Sequence, residues 1–267
     1  LEPPAVDGKV ITGWNGIAIR SLARAGAVLG EQSWVRAAAE AASAVLDTNV
    51  APDGSPVRAS LDGKPSPAVA GLADLGLLAE GLFALAAAGG EARWAVRGRE
   101  ILDRALAGVD PDPVLSAHGV ASSPDQSDGD LPSGASAVAA AALAAWRLGA
   151  GERYRDAAVS LVEEHAERAL AQPFAHSSML QAAAWLAEPP RQVVVVTASR
   201  SGALAKAALR TDADVIAVVA PEQAQAFADA GFELFEAKGA LSERAYDCRA
   251  FVCRLPVSDP ADLHPER

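Results

Sequence analysis

Aromatic side chains make up only 5% of this chain. Its interior must therefore be filled by alanine, leucine and valine, and such small side chains let helices approach closely. Cysteine is nearly absent: Cys248 and Cys253 are the only two. That excludes a disulfide framework as organiser of the fold and fits a reducing, cytoplasmic setting, with both cysteines read as buried thiols. No stretch of sequence reads as an uninterrupted membrane span of about 18 apolar residues. No signal peptide is visible in the opening Leu1-Glu2-Pro3-Pro4, and the missing initiator Met leads us to expect a fragment or processed product. Positive charge is the other deficit. With 23 Lys and Arg against 34 Asp and Glu, the net charge of −11 argues against nucleic acid and against anionic membranes as partners.

What is present is an ordinary globular composition, 51% hydrophobic and 21% charged. The 267 residues suffice for one large domain or two modest ones. Seven helical segments can be read between residue 12 and about residue 187. Segments 14–29, 71–88 and 133–148 are apolar almost all round, and the last carries a single charge, Arg147. Segments 91–108 and 151–170 are heavily charged, from Glu91 to Arg104 and from Glu152 to Arg168. Helices apolar all round are buried and charged ones face water, so the alternation predicts an inner layer wrapped by an outer one.

The inner segments open near Thr12, Gly71, Pro132 and His176, the first three spaced by about 60 residues, which reads as a repeat of helical hairpins. Between hairpins lie Asp53-Gly54-Ser55-Pro56 and Asp62-Gly63-Lys64-Pro65, which read as loops or short β-hairpins. After Pro189-Pro190 the pattern changes. The run Val193–Val196 predicts a buried strand, 200–209 a helix, 215–219 a strand, 221–230 a helix and 232–236 a strand. Ala250-Phe251-Val252 supplies a candidate edge strand. Strand–helix–strand order predicts a small, mostly parallel sheet. The expected organisation is 1–189 helical and 190–267 α/β.

Four stretches carry a resemblance to a known family. They are Asp7-Gly8-Lys9-Val10-Ile11-Thr12-Gly13-Trp14-Asn15-Gly16, Ala70 to Leu82, Asp128 to Ser136, and Ala245-Tyr246-Asp247-Cys248 through Asp259-Pro260. In this order they resemble the signatures of the YyaL and spermatogenesis-associated thioredoxin-domain family. Gly8, Leu75 and Ala135 stand where that family has Asp, Tyr and Asn. The resemblance implies a mainly α fold, a partial (α/α) toroid of the six-hairpin glycosidase/epimerase-like type, followed by a small α/β unit. It also implies an N-terminal thioredoxin-like domain outside this chain, and a glycosidase- or sugar-epimerase-like activity if one is retained.

The polar motifs fall at the starts of the inner helices, whose free N–H groups suit hydroxyl-rich or anionic ligands. Asp74 and Asp128 are the candidate catalytic carboxylates, and a separation of about 5–10 Å would suit glycosidic cleavage; the competing reading makes them helix-end or loop-stabilising carboxylates. Trp14 is a candidate sugar platform or a core residue, and Asn15, Ser133 and His176 are candidate substrate contacts. Thr12 and Ser133 read more readily as helix caps than as ligands. Of the four histidines, His165 falls on a charged helix, His264 in the tail and His118 in a hairpin, leaving His176 without a second histidine for epimerase chemistry. Thr197 to Gly202 joins strand to helix where a phosphate could sit, but contains neither GxGxxG nor a P-loop pattern. No cofactor and no metal site is expected. The competing function is a non-catalytic scaffold or interaction domain serving the thioredoxin-like domain. Seven helices cannot close a twelve-helix ring, so the chain is expected to self-associate, or to pair with the N-terminal portion. The surface expected to be exposed for this is segment 14–29, with Ile17, Ile19, Leu22 and Val28.

Overall fold

The computed structural model describes residues 6–51, 53–109, 116–119, 127–241 and 243–263. Seven helices precede residue 190 among them: α1 (Thr12–Leu29), α2 (Gln32–Thr48), α3 (Leu72–Gly89), α4 (Ala92–Ala107), α5 (Gly134–Arg147), α6 (Glu152–Ala171) and α7 (Ser177–Ala187). The odd-numbered helices pack side by side, while α2, α4 and α6 lie behind them. Helix α1 ends at Gly30 and α3 at Gly90, both in the left-handed conformation that glycine adopts without steric cost.

The period of about 60 residues becomes a lateral register. Gly13 bonds to Asp74, 61 residues on, and Arg20 to Glu80, 60 residues on. Neighbouring inner helices therefore run parallel, with their starts at one end. Glycine sets how closely they approach. A Cβ on Gly16 would lie 2.4 Å from the Leu77 carbonyl oxygen, and one on Gly76 2.5 Å from the Ala137 carbonyl carbon. Helix α3 is the most enclosed element, packed on α1, α4 and α5. By length and composition alone it could cross a membrane, and 72% of its apolar window is buried inside the protein.

A three-stranded antiparallel sheet sits at the start of the inner layer: β1 (Val10–Ile11), β2 (Ala59–Leu61) and β3 (Lys64–Pro65). Asp62 and Gly63, both with positive φ, turn the β2–β3 hairpin.

The second sheet has the order β5 (Val215–Val219), β4 (Arg191–Val196), β6 (Arg244–Arg249), β7 (Val252–Cys253). Only β4 and β5 are parallel; β6 is antiparallel to β4, and β7 to β6. The expectation of a mostly parallel sheet is corrected by β6, a central strand whose sequence Arg-Ala-Tyr-Asp-Cys-Arg does not read as apolar. Its Asp247 is matched inside the sheet: the Arg191 guanidinium bonds both Asp247 oxygens, at 3.1 and 2.8 Å. The strand expected at 232–236 is instead a 3₁₀ turn, Glu233–Phe235. Phe227 stacks on Phe235 at 4.2 Å and meets Phe232 edge-on at 5.9 Å, a ring cluster that a flat strand could not bring together. The helices of this part are α8 (Ala203–Ala208) and α9 (Pro221–Asp229).

The valine run of β4 is buried on both faces. Val194 and Val196 join the core of the helical layer, whereas Val193 and Val195 pack with Leu204, Ala208 and Leu263 in a smaller cluster. Cys248 and Cys253 are cross-strand neighbours joined by a disulfide, which corrects the reading of free thiols.

Candidate functional site

The six candidate residues fall at one end of the inner layer, where α1, α3, α5 and α7 begin. Asp74 lies in the first turn of α3 and is buried. One of its oxygens accepts from the Gly13 N–H at 3.2 Å, tying the start of α1 to α3. The other accepts from the Gly71 N–H at 3.1 Å and meets the Arg58 guanidinium at 3.4 Å. Burial pushes its carboxyl above the usual carboxylate range, outweighing Arg58 and the N–H groups of Gly71 and Gly13.

Asp128 makes the corresponding tie one hairpin along. It accepts from the Ser133 N–H at 2.9 Å, ahead of α5, and from the Ser178 N–H at 2.7 Å, in α7. Its own N–H donates to the Ala175 carbonyl at 2.7 Å. Partial burial acts to raise its pKa, but the Ser133 and Ser178 donors outweigh it and hold the carboxyl below the usual range. The two ties are near one another in the layer, because the start of α5 touches the start of α3: a Cβ on Gly134 would lie 2.8 Å from the Leu72 Cβ.

The remaining candidates are disposed less uniformly. Trp14 is 60% exposed on the first turn of α1, so it is a surface ring and not a core one. The Asn15 amide donates to the carbonyl of Ile11, the residue that precedes α1, at 2.9 Å. Ser133 is the N-cap of α5; its hydroxyl accepts from the Ser136 N–H and donates to the Ser136 hydroxyl at 2.8 Å. His176 is buried in the 3₁₀ turn before α7. Thr12 is not a cap: its hydroxyl donates to the Val57 carbonyl at 2.6 Å and accepts from Asn49 at 2.8 Å. His165, expected on a solvated face, is buried, with Nδ1 2.9 Å from the Leu161 carbonyl. His118 is exposed, and His264 lies outside the described residues. Of the α1 side chains expected on an open flank, Ile19 is fully buried, Ile17 and Leu22 are half-buried, and Val28 is exposed together with Leu29.

The opposite end of the inner helices holds groups that sequence reasoning passed over. There the α/β part docks by supplying donors to helix-end carbonyls. Arg200 donates to Ala88 and, at 2.6 Å, to Gly89. The Gln192 amide donates to Arg147 at 3.1 Å, and the Glu233 N–H to Gly149 at 2.8 Å. The loop of residues 197–202, considered for a phosphate, thus places its one arginine side chain on the end of α3. Beside this docking surface lies a cavity of ≈ 390 Å³, bounded by α1, α3, α5, Trp185 of α7 and residues 209–216. Arg147, the lone charge of an apolar segment, stands at its edge and was the one signal in the sequence that pointed to this place. Among the described residues no cluster of three or more His, Cys, Asp or Glu side chains could hold a metal ion.

Compared with known proteins, the chain matches no protein-family model and no curated sequence.

Proposed function

We propose that the helical layer is a non-catalytic scaffold, and that Asp74 and Asp128 are its fastenings. One observation carries this reading: each carboxylate accepts backbone N–H groups at two helix starts, Gly13 and Gly71 for Asp74, Ser133 and Ser178 for Asp128. A general acid or nucleophile needs an oxygen directed at substrate; these oxygens are directed at the protein's own backbone. A carboxylate between two helix N-termini is also where a positive dipole end favours negative charge.

The motifs that resemble the thioredoxin-domain family suggest what is held. In this reading the hairpin array is part of a toroid of the six-hairpin type, and it presents or steadies a thioredoxin-like domain of the same protein. The exposed flank of α1, with Trp14, Val28 and Leu29, is the surface proposed for self-association or for pairing with that N-terminal portion. Light scattering on the purified chain tests this: a monodisperse monomer that binds no apolar dye would defeat it.

A second reading rests on a different observation. Asp74 is raised and Asp128 lowered, and two carboxyls pushed apart in pKa at one end of a layer are the pattern of an acid and an ionised partner. With Trp14 exposed nearby as a stacking platform, the end could bind and process a carbohydrate. One comparison separates the readings. In Asp74→Asn and Asp128→Asn, the scaffold reading expects lower thermal stability and no glycoside turnover before or after the change. Sugar turnover by the unmodified chain that is lost in either variant without a change in melting temperature would establish the enzyme instead.

A further inference from the structure

The cavity at the far end of the inner helices has an apolar floor and an unequal polar rim. Ala84 and Ala87 of α3 and Ala140 and Ala144 of α5 line the floor. Every carboxylate on the lining already has a cation: Glu80 pairs with Arg20 at 2.6 Å, Asp214 with Arg147 at 3.0 Å, and Asp212 with Arg191 at 2.8 Å. The cations are not matched in the same way. Arg24 has no hydrogen bond or ion pair among the described residues. Arg147 bonds Asp214 and the Trp185 carbonyl through one terminal nitrogen, while its buried Nε has no partner. Its guanidinium lies 5.2 Å from the Trp185 ring centre, which fixes its position. Arg24 and Arg147 are near enough for Arg24 to disfavour the charge on Arg147. In a chain of net charge −11, two neighbouring guanidiniums on one cavity, one of them with no carboxylate of its own, are not a consequence of composition. Helix-end capping does not account for Arg24, which sits more than a turn before the end of α1 at Leu29.

We propose that this cavity binds a small carboxylate with an apolar body, its oxygens between Arg24 and Arg147 and its body on the alanine floor. The planar donor fork of arginine fits a carboxylate geometrically, and a volume of ≈ 390 Å³ falls within the range of small-molecule pockets. The small side chains of α3 and α5 have a role here beyond packing: larger ones at 84, 87, 140 or 144 would fill the space. This site is independent of what happens at the helix starts.

Isothermal titration of the full chain tests the proposal with octanoate as probe, octanol as the same body without charge, and inorganic phosphate as charge without the body. The expected result is saturable one-to-one binding of octanoate, with octanol and phosphate each at least about tenfold weaker. Arg24→Gln, an exposed position, should weaken octanoate by about tenfold or more. Ala84→Leu should abolish binding with no loss of melting temperature, because the new side chain occupies the cavity and not the core. Absence of saturable octanoate binding overturns the proposal. So does wild-type affinity in both folded variants, or phosphate binding as tight as octanoate and unaffected by Ala84→Leu.

Discussion

The two ends of the inner helices are finished in opposite ways. At their starts, carboxylates collect N–H groups, so that Asp74 joins α1 to α3 and Asp128 joins α5 to α7. At their far ends, donors collect carbonyls: Arg200 on α3, and Gln192 and the Glu233 N–H at and just after the end of α5. Each arrangement complements the helix dipole, anions at N-termini and donors at C-termini. The difference lies in completeness. At the starts both aspartates are occupied by backbone N–H groups; at the far ends Arg24 has no hydrogen bond or ion pair among the described residues, and a cavity lies beside it. One end is built to hold helices together, and the other retains capacity for something further.

The sharpest way to break this contrast is to change packing at both ends. Gly76→Ala places a Cβ 2.5 Å from the Ala137 backbone, so two helix backbones must part, and we expect a loss of about 3 kcal/mol in urea unfolding. Ala84→Leu, on the same helix but facing the cavity, should change stability by less than about 1 kcal/mol. Equal losses for the two would remove the distinction between a packed end and an open one.

Next in size is Asp128→Ala, which leaves the Ser133 and Ser178 N–H groups without their acceptor and should cost about 2 kcal/mol at neutral pH. Asp128 has a lowered pKa in the folded state, so its contribution is present above the ordinary carboxylate pKa and is lost as pH falls through the depressed one. The gap between the variant and the unmodified protein should therefore narrow in acid. A gap independent of pH would show that the charge does not contribute.

Asp74 carries the opposite sign. Its pKa is raised, so its contribution is fully present below the ordinary carboxylate pKa and declines as pH rises through the elevated one. Asp74→Asn should gain ground on the unmodified protein between acid and neutral pH, with a net difference of about 1 kcal/mol or less at neutrality. Chemical denaturation across that pH range checks it, and a gap that widens toward neutral pH contradicts the assignment.

An effect between those of Asp128 and Asp74 in size concerns the joint between the two parts. Arg200→Met keeps the aliphatic stem but removes the donors to Ala88 and Gly89, and should lower stability by about 1–2 kcal/mol while leaving the helical circular dichroism unchanged.

The helices were legible because their signal is local. The charged faces of α4 and α6 and the all-apolar sequences of α3 and α5 fix burial through a period of 3.6 residues, whatever lies alongside. The glycines, lone Arg147 and the aspartates at or before the inner helix starts were also visible. Their roles were not, because a role is a matter of which atom is nearest. Asp74 becomes a fastening only once Gly13, far off in sequence, arrives at its oxygen. The strand β6 escaped notice because its Asp247 and Arg244 suit a loop until Arg191 is found opposite Asp247. Phe232 to Phe235 looked like a strand because three buried apolar residues fit either period over so short a span.

By itself the sequence determined seven helices, their alternation between buried and solvated, their spacing of about 60 residues and the buried valine strand, all through patterns within a few turns of chain. The tertiary structure decided the direction of β6, the pairing of Cys248 with Cys253, the occupation of both candidate carboxylates by backbone, and the cavity beside Arg24 and Arg147. These depend on contacts between segments distant in sequence, and no local period records which side chain will reach a given donor first.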